Sequence, residues 1–192
     1  MVSLLRTLRL DASDGILFSP AAEPGEWAVP GSFLFHGRPF ESLSRKERVA
    51  FRSAFLGVQS FGFSTLAVVT RVSAAERQAA VELLADALVR HLGAPGREVA
   101  MAAAEEEIAF ASELCRGQEE GRVIALHREE DEAGEIRERF RSLRPRGETA
   151  YAAAGLAGHD RPFHFVESDA DAPEDEGEGI DLFAGLRSGE NQ

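Results

Sequence analysis

The clearest indication of the fold comes from residues 73–95, which have the sequence SAAERQAAVELLADALVRHLGAP. Ser73 and Glu76 have the spacing of a capping box, in which each side chain bonds a free backbone N–H at the start of a helix. Apolar side chains then recur at helical spacing, at Ala80, Val81, Leu84, Leu88 and Leu92. Gly93 and Pro95 end the pattern. The stretch therefore predicts an amphipathic helix over residues 74–92 whose stripe faces a core.

The flanking sequence extends this helix into a β-α-α-β unit. A second helix is predicted over Arg97–Arg116, with the stripe Met101, Ala104, Ile108, Ala111 and Cys115 and with Gly117 at its end. Leu66–Val69 and Val123–Leu126 are apolar on both faces, which is typical of strands covered by helices. We therefore expect an α+β fold, with a mostly antiparallel sheet of five or six strands and both long helices packed on one face. This arrangement is compatible with a ferredoxin-like fold or a related α+β sandwich.

The first 72 residues are mostly extended in pattern. Leu4–Leu10 and Gly15–Ser19 predict an N-terminal hairpin. Trp27–His36 predicts a strand at the edge of the sheet or with a bulge, because Pro30 interrupts it. Ser44–Glu47 is a second capping box and predicts a short helix that Gly57 ends. Val58–Val72 predicts one long strand.

In the C-terminal third of the chain, the periodic pattern of apolar residues becomes weaker with distance along the sequence. Residues 135–143 fit a helix face and strand alternation alike; the turn-like residues before them favour a strand paired with 122–129. Pro162–Val166 is a short apolar island that could add an edge strand or simply pack on the domain. We therefore expect three parts, which are a globular domain over 1–145, a loosely packed extension over 146–166 and an acidic flexible tail over 167–192.

Charge and cysteine content limit the classes of partner. The net charge of −12 over 192 residues argues against nucleic acid. Residues 167–181 contain eight acids and no Lys or Arg, and removing these eight charges from −12 leaves −4 for the remainder. The longest purely apolar run, Val99–Ala104, is too short for a membrane span, and the first residues do not resemble a secretory signal. With one cysteine and no disulfide, a cytoplasmic protein is expected, and homo-oligomer formation stays open.

Enzyme motifs are largely absent from the sequence, so a non-catalytic protein is favoured although the question of catalysis stays open. The run Gly57–Gly62 lacks the spacing of a nucleophile elbow. Glu105–Glu107 is interpreted as a solvated helix face, and His159 and His164 as loop residues, since neither has the spacing of metal ligands. Cys115 is expected to be a buried core residue. We therefore predict no catalytic residues, no metal and no cofactor.

Two features carry the functional hypotheses. Seven of the 13 phenylalanines lie within residues 33–63, which indicates mainly a core, with Trp27, Phe61 and Phe63 as the alternative lining of an apolar small-molecule or enzyme pocket. In the tail, an apolar cluster follows the acids and is expected to dock on another protein through Ile180, Asp181, Leu182, Phe183 and Leu186. The favoured hypothesis is therefore an accessory or adaptor protein that binds another protein.

Several stretches also resemble an uncharacterised family of small bacterial cytosolic proteins. They are Ala22–Ala28, Ala50–Gly57, Phe61–Leu66, Glu105–Phe110 and Ile136–Leu143, and the resemblance covers about residues 3–145. It is one of overall pattern and includes no catalytic motif. The resemblance implies a bacterial, cytosolic protein and supplies neither an activity nor site residues.

Overall fold

The computed structural model describes residues 2–10, 12–131, 134–145 and 165–167. These residues form one antiparallel sheet with strand order β4-β3-β2-β1-β5-β6-β7-β8, together with four α-helices. In chain order the elements are β1 Val2–Leu8, α1 Ser13–Leu17, β2 Trp27–Val29, α2 Arg45–Ser53, β3 Phe55–Gly57, β4 Phe63–Ser64, β5 Leu66–Val72, α3 Ala74–Leu92, α4 Arg97–Leu114, β6 Val123–Glu130, β7 Ile136–Pro145 and β8 Phe165–Glu167. Two 3-10 turns, Ser32–Phe35 and Phe40–Ser42, lie between β2 and α2. The α+β class and the antiparallel sheet are thus confirmed.

The elements β5, α3, α4 and β6 follow one another along the chain, and β5 pairs antiparallel with β6. The Ser73–Glu76 capping box forms, and Gly93 ends α3 in the left-handed conformation with φ 64°. The helices α3 and α4 pack on each other, α3 contacts β1 and β5, and α4 contacts β1 and β2. The main core lies at these contacts, where Leu84 and Ile108 are almost fully buried. No helix in the described ranges is long and apolar enough to cross a membrane.

A second apolar cluster lies under α2. It consists of Phe18, Phe35, Leu43, Ala50, Phe51 and Ala54, all of them buried. The rings of Phe35 and Phe51 meet edge to face, with centroids 5.3 Å apart, a favourable geometry for aromatic pairs. Much of the phenylalanine-rich segment therefore forms core.

The predicted N-terminal hairpin is wrong. Residues 13–17 form the short helix α1, and β1 pairs instead with β2, with Leu5 opposite Ala28. The buried carboxylate of Asp14 explains the difference, because it accepts hydrogen bonds from Thr65 Oγ1 at 2.6 Å and from Ser64 Oγ at 3.2 Å. These contacts join residues about fifty positions apart and override the local strand pattern.

The predicted edge strand at 27–36 is also wrong. The strand β2 has three residues and lies inside the sheet between β1 and β3. Pro30 follows the last strand residue, so it removes no ladder hydrogen bond, and Gly31 then turns the chain with φ 73° into the first 3-10 turn.

Two further boundaries differ from the prediction. The helix α2 ends at Ser53, before Gly57, which belongs to β3. The predicted strand over 58–72 is interrupted twice, because a bend at Thr65 separates β4 from β5 and residues 58–60 form a turn before β4. The buried carboxylate of Glu26 stabilises this turn by accepting hydrogen bonds from the backbone N–H groups of Gln59 at 2.9 Å and Ser60 at 2.8 Å.

The ambiguous stretch at 135–143 is a strand, and β6 and β7 form the predicted hairpin, with Leu126 opposite Phe140. Of the two alternatives for the apolar island near residue 165, the structure has the edge strand, as β8, in which Glu167 lies opposite Leu143. Residues 146–164 and 168–192, which include most of the expected extension and tail, lie outside the described residues.

Candidate functional site

One of the two sets of residues that the sequence singled out lies outside the described structure. Ile180, Asp181, Leu182, Phe183 and Leu186 lie outside the described residues, and so do His159 and His164. Their roles stay predictions.

The three aromatic residues proposed as a pocket lining pack against the core. Trp27 is 6% exposed and has the guanidinium of Arg6 3.6 Å from its ring centroid. Phe61 stacks on His91 with centroids 4.3 Å apart. Phe63 contacts both apolar clusters. Neither of the two clefts described below is lined by any of these three aromatic residues.

A different surface, formed by α2 and the turn before it, has the features of a binding site. The helix begins with a complete capping box, in which the Ser44 N–H donates to Glu47 Oε2 at 2.9 Å and the Glu47 N–H donates to Ser44 Oγ at 3.3 Å. Hydrogen bonds from Arg38, then from the Ser44 side chain and backbone, lower the pKa of Glu47 to about 2. The carboxylate of Glu47 is therefore ionised and committed to the cap and to Arg38.

The other end of α2 is held by Arg128 of β6, whose side chain is fully buried. Its Nη1 donates to the carbonyl oxygens of Phe51 at 3.1 Å and Ala54 at 3.0 Å, and its Nη2 donates to that of Pro30. Carbonyls at the end of a helix have no partner within the helix, and a cation there also complements the helix dipole. Arg128 therefore attaches the C-terminus of α2 to the sheet.

Two carboxylates surround this buried guanidinium. Glu138 of β7 accepts a hydrogen bond from Arg128 Nε at 2.5 Å. Glu107 of α4 is half-buried, and its Oε2 is buried without a hydrogen-bond partner. Burial first, and then the charge of Glu138, raise the pKa of Glu107 to about 7, although Arg128 opposes the shift. Of the three acids interpreted as a solvated helix face, Glu105 and Glu106 are exposed, whereas Glu107 is half-buried.

Two open clefts flank this attachment and share Phe40 and Arg52. The first, of about 650 Å³, is bordered by β6 and the turn after it and carries several acids. Its lining consists of Phe40, Glu41, Phe51, Arg52, His127, Arg128, Glu129, Glu130, Asp131 and Gly134. The acids outnumber the arginines, so an anionic ligand would meet repulsion there.

The second cleft, of about 520 Å³, has the opposite character and is called the basic cleft here. It is lined by Phe40, Leu43, Ser44, Arg45, Arg48, Val49 and Arg52, without an acid among them. The guanidiniums of Arg52 and Arg48 lie 5.0 Å and 5.4 Å from the centroid of the Phe40 ring. Arg48 also donates to the carbonyls of Leu43 and Glu41, both at 2.9 Å. The cleft thus combines fixed cations with an apolar floor.

Chemically, this lining is suited to binding. Arginine presents a planar fork of N–H donors that matches a carboxylate, and the half-buried side chains of Phe40 and Val49 offer apolar contact between the forks. The only hydroxyl in the lining, that of Ser44, accepts the Glu47 N–H of the cap. The basic cleft can therefore hold an anionic group next to an apolar one.

Sequence reasoning missed this site although a signal was present. Arg45, Arg48 and Arg52 recur at three and four positions in a helix that its capping box predicted, and this spacing places all three on one face. Their partner Phe40 could not be found this way, because it lies in a turn outside the helix.

Another residue considered for chemistry, Cys115, has an ordinary structural role. Cys115 is 4% exposed, and burial raises the pKa of its thiol to about 12. The described residues contain no group of three His, Cys, Asp or Glu side chains that could hold a metal ion.

Comparison with known proteins gives one match. A family model described as a family of unknown function, DUF6505, covers residues 1–159. No curated protein and no solved structure matches the chain. The matched region includes α2, Arg128 and both clefts, and it ends before the acidic tail. The chain therefore belongs to the DUF6505 family.

Proposed function

We propose that the protein is a non-catalytic adaptor that binds an acidic segment of a partner protein in the basic cleft. The observation that carries the proposal is the lining of this cleft, which joins three arginines to an apolar floor and includes no acid. An acidic segment with one or two apolar side chains would satisfy both parts of the lining.

A protein segment fits the charge distribution better than nucleic acid does. The net charge is −12, and the cleft next to the basic cleft is acidic. A long polyanion that extended past α2 would therefore be repelled by the surrounding negative charge. The apolar floor, moreover, offers nothing to a phosphate backbone. A short acidic segment needs only the local group of arginines.

The attachment of α2 supports the proposal on energetic grounds. The capping box holds one end of the helix and the buried guanidinium of Arg128 holds the other. Arginines carried by a fixed helix need little ordering when a ligand binds, and this lowers the cost of association.

We infer a bacterial, cytoplasmic protein from the resemblance and from the lone buried Cys115. We also propose that β5, α3, α4 and β6 form a β-α-α-β core of the ferredoxin-like or a related α+β type, which their order along the chain supports.

The test compares capture of partners from extracts of the native cell by three forms of the full chain. The cleft variant carries Arg45→Gln with Arg52→Gln, and the control variant carries Arg90→Gln with Arg116→Gln, two exposed arginines outside the cleft. Both variants lose the same formal charge. Quantitative mass spectrometry should show a partner with an acidic segment that the wild type and the control retain and that the cleft variant loses by about tenfold or more.

The same extract gives the opposing result directly. If every partner is retained equally by the cleft variant and the control, the basic cleft does not bind it. Partners lost equally by both variants would indicate non-specific attraction to positive charge, and the proposal would fail.

A further inference from the structure

We propose that the chain's own residues 168–192 occupy the basic cleft, with apolar residues of the segment 180–186 against Phe40 and Val49. This inference rests on the proposed function, because it names an internal occupant for the site that is proposed to take a partner's acidic segment. The tail would then compete with that partner.

Charge complementarity is the first argument. Residues 167–181 contain eight acids and no Lys or Arg, and the apolar cluster follows directly after them. The basic cleft has three arginines in its lining, and Lys46 lies exposed on the same helix. The acidic first cleft would repel the same segment, so electrostatics favours the basic cleft of the two.

The direction of β8 is the second argument. Its pairing with β7 is antiparallel, so after Glu167, opposite Leu143, the chain is directed toward the first residues of β7. That end of the hairpin meets the site, because Ile136 packs on the cluster that contains Phe51, and Glu130 accepts a hydrogen bond from the Phe40 N–H at 3.2 Å.

The length of the segment is sufficient. From Leu143 back to Ile136 the strand advances about 23 Å, at roughly 3.3 Å per residue. The chain from Glu167 to Ile180 can span up to about 43 Å at the same rise. The segment can therefore pass along β7 and still place residues 180–186 on α2.

Exposed arginines line that route. Arg137, Arg139 and Arg141 alternate along β7 and are all exposed. Arg137 pairs with Asp131 at 3.0 Å and Arg139 pairs with Glu129 at 2.8 Å. Exposed pairs of this kind are weak and exchange readily with other carboxylates, so the acids of the tail have cations to meet on the way to the cleft.

The consequence is regulatory. A segment tethered to the domain is present at a high effective concentration, so even weak binding would keep the basic cleft largely occupied. A partner segment must then displace the tail. The apparent affinity for the partner is the intrinsic affinity multiplied by the fraction of molecules whose cleft is free. Modification or removal of the tail would raise the affinity for the partner.

The test uses the full ¹⁵N-labelled chain with Ser188→Cys carrying a nitroxide. Cys115 is buried and has a raised thiol pKa, so the label attaches at position 188. We expect strong, selective broadening of the backbone amide signals of residues 45–53, relative to the chain with a diamagnetic label. The cleft variant should recover most of these signals, and the control variant should not.

Other outcomes would overturn the inference. Broadening at another surface, or none, would show that the tail does not occupy α2. In a mixture of spin-labelled unenriched chains with ¹⁵N chains that lack the label, broadening of residues 45–53 would assign the occupant to a second copy. Partner capture distinguishes this inference from the proposed function. If the cleft variant loses partners but the tail label causes no broadening of residues 45–53, the proposed function stands and this inference fails. If the broadening is seen but the cleft variant captures partners normally, the tail contact stands and the proposed function fails.

Discussion

Arg128 Nη1 lies 3.0 Å from the carbonyl oxygen of Ala54, and this contact joins a strand to a helix end 74 residues away. The same nitrogen reaches Phe51 O, so one buried side chain bonds two carbonyls that the helix leaves unsatisfied. The position of α2, and with it the basic cleft, depends on this side chain.

Replacing Arg128 by Met should therefore destabilise the protein severely. The change leaves the carbonyls of Pro30, Phe51 and Ala54 and the carboxylate of Glu138 without their donor. Breaking a buried pair in this way costs about 3–5 kcal/mol. The matched control is Arg139→Met in the same hairpin, whose ion pair with Glu129 is exposed and should be worth below about 1 kcal/mol. Equal free energies of unfolding for the two variants in urea would show that Arg128 does not hold α2.

The half-buried carboxyl of Glu107 should make stability depend on pH. Its pKa is raised from 4.5 to about 7 in the folded protein, so between these values the unfolded state binds fewer protons and stability falls as the pH rises. Glu107→Gln removes this loss and should raise the free energy of unfolding at pH 8 by about 1–2 kcal/mol, after allowance for solvent screening.

The gain should shrink to nearly nothing below pH 4.5, where both states of the wild type are protonated. Glu98→Gln, at an exposed position of the same helix that does not contribute to the raised pKa of Glu107, is the control and should leave the pH profile unchanged. A Glu107→Gln variant whose stability falls with pH as steeply as that of the wild type would refute the assignment.

The α3 stripe gives a test of the core. Leu84 is 0% exposed, so Leu84→Ala should cost about 2–5 kcal/mol. Leu83, the preceding residue, is 40% exposed, and Leu83→Ala should cost less than about 1 kcal/mol. Urea unfolding of both variants checks the face of the helix, and a reversed order would mean that it is wrongly placed.

Cys115 should behave as an inert thiol. Its Sγ lies 3.3 Å from the carbonyl oxygen of Ala111, and burial raises its pKa to about 12, so almost no thiolate exists near neutral pH. A thiol reagent should modify the native protein far more slowly than the denatured protein. Comparable rates in the two states would reopen a thiol-based activity.

The parts of the fold that sequence could predict are those that local patterns determine. A capping box and an apolar stripe lie within α3, and alternation with a turn lies within the β6–β7 hairpin. The short helix α1 and the turn after β3 depend instead on Asp14 and Glu26, whose carboxylates bind residues far along the chain. Nothing next to these acids indicates their partners.

The candidate site divides in the same way. Alternation after Ile124 and Leu126 already points Arg128 inward, but its partners Pro30 and Ala54 lie in segments that a single sequence cannot bring together. The arginines of α2 were predictable as one helix face, whereas the cleft also needs the 3-10 turn at 40–42.

The central claim is that the basic cleft binds acidic segments with apolar side chains. The most direct measurement is fluorescence anisotropy of a labelled peptide with the sequence of residues 174–188, titrated with the full chain. The titrated protein carries Leu182→Ser and Phe183→Ser, so that its own tail competes less with the labelled peptide. We expect saturable binding, weakened about tenfold by Arg45→Gln with Arg52→Gln and little changed by Arg90→Gln with Arg116→Gln. Equal affinity of the cleft and control variants, or no saturable binding at low salt, would contradict the claim.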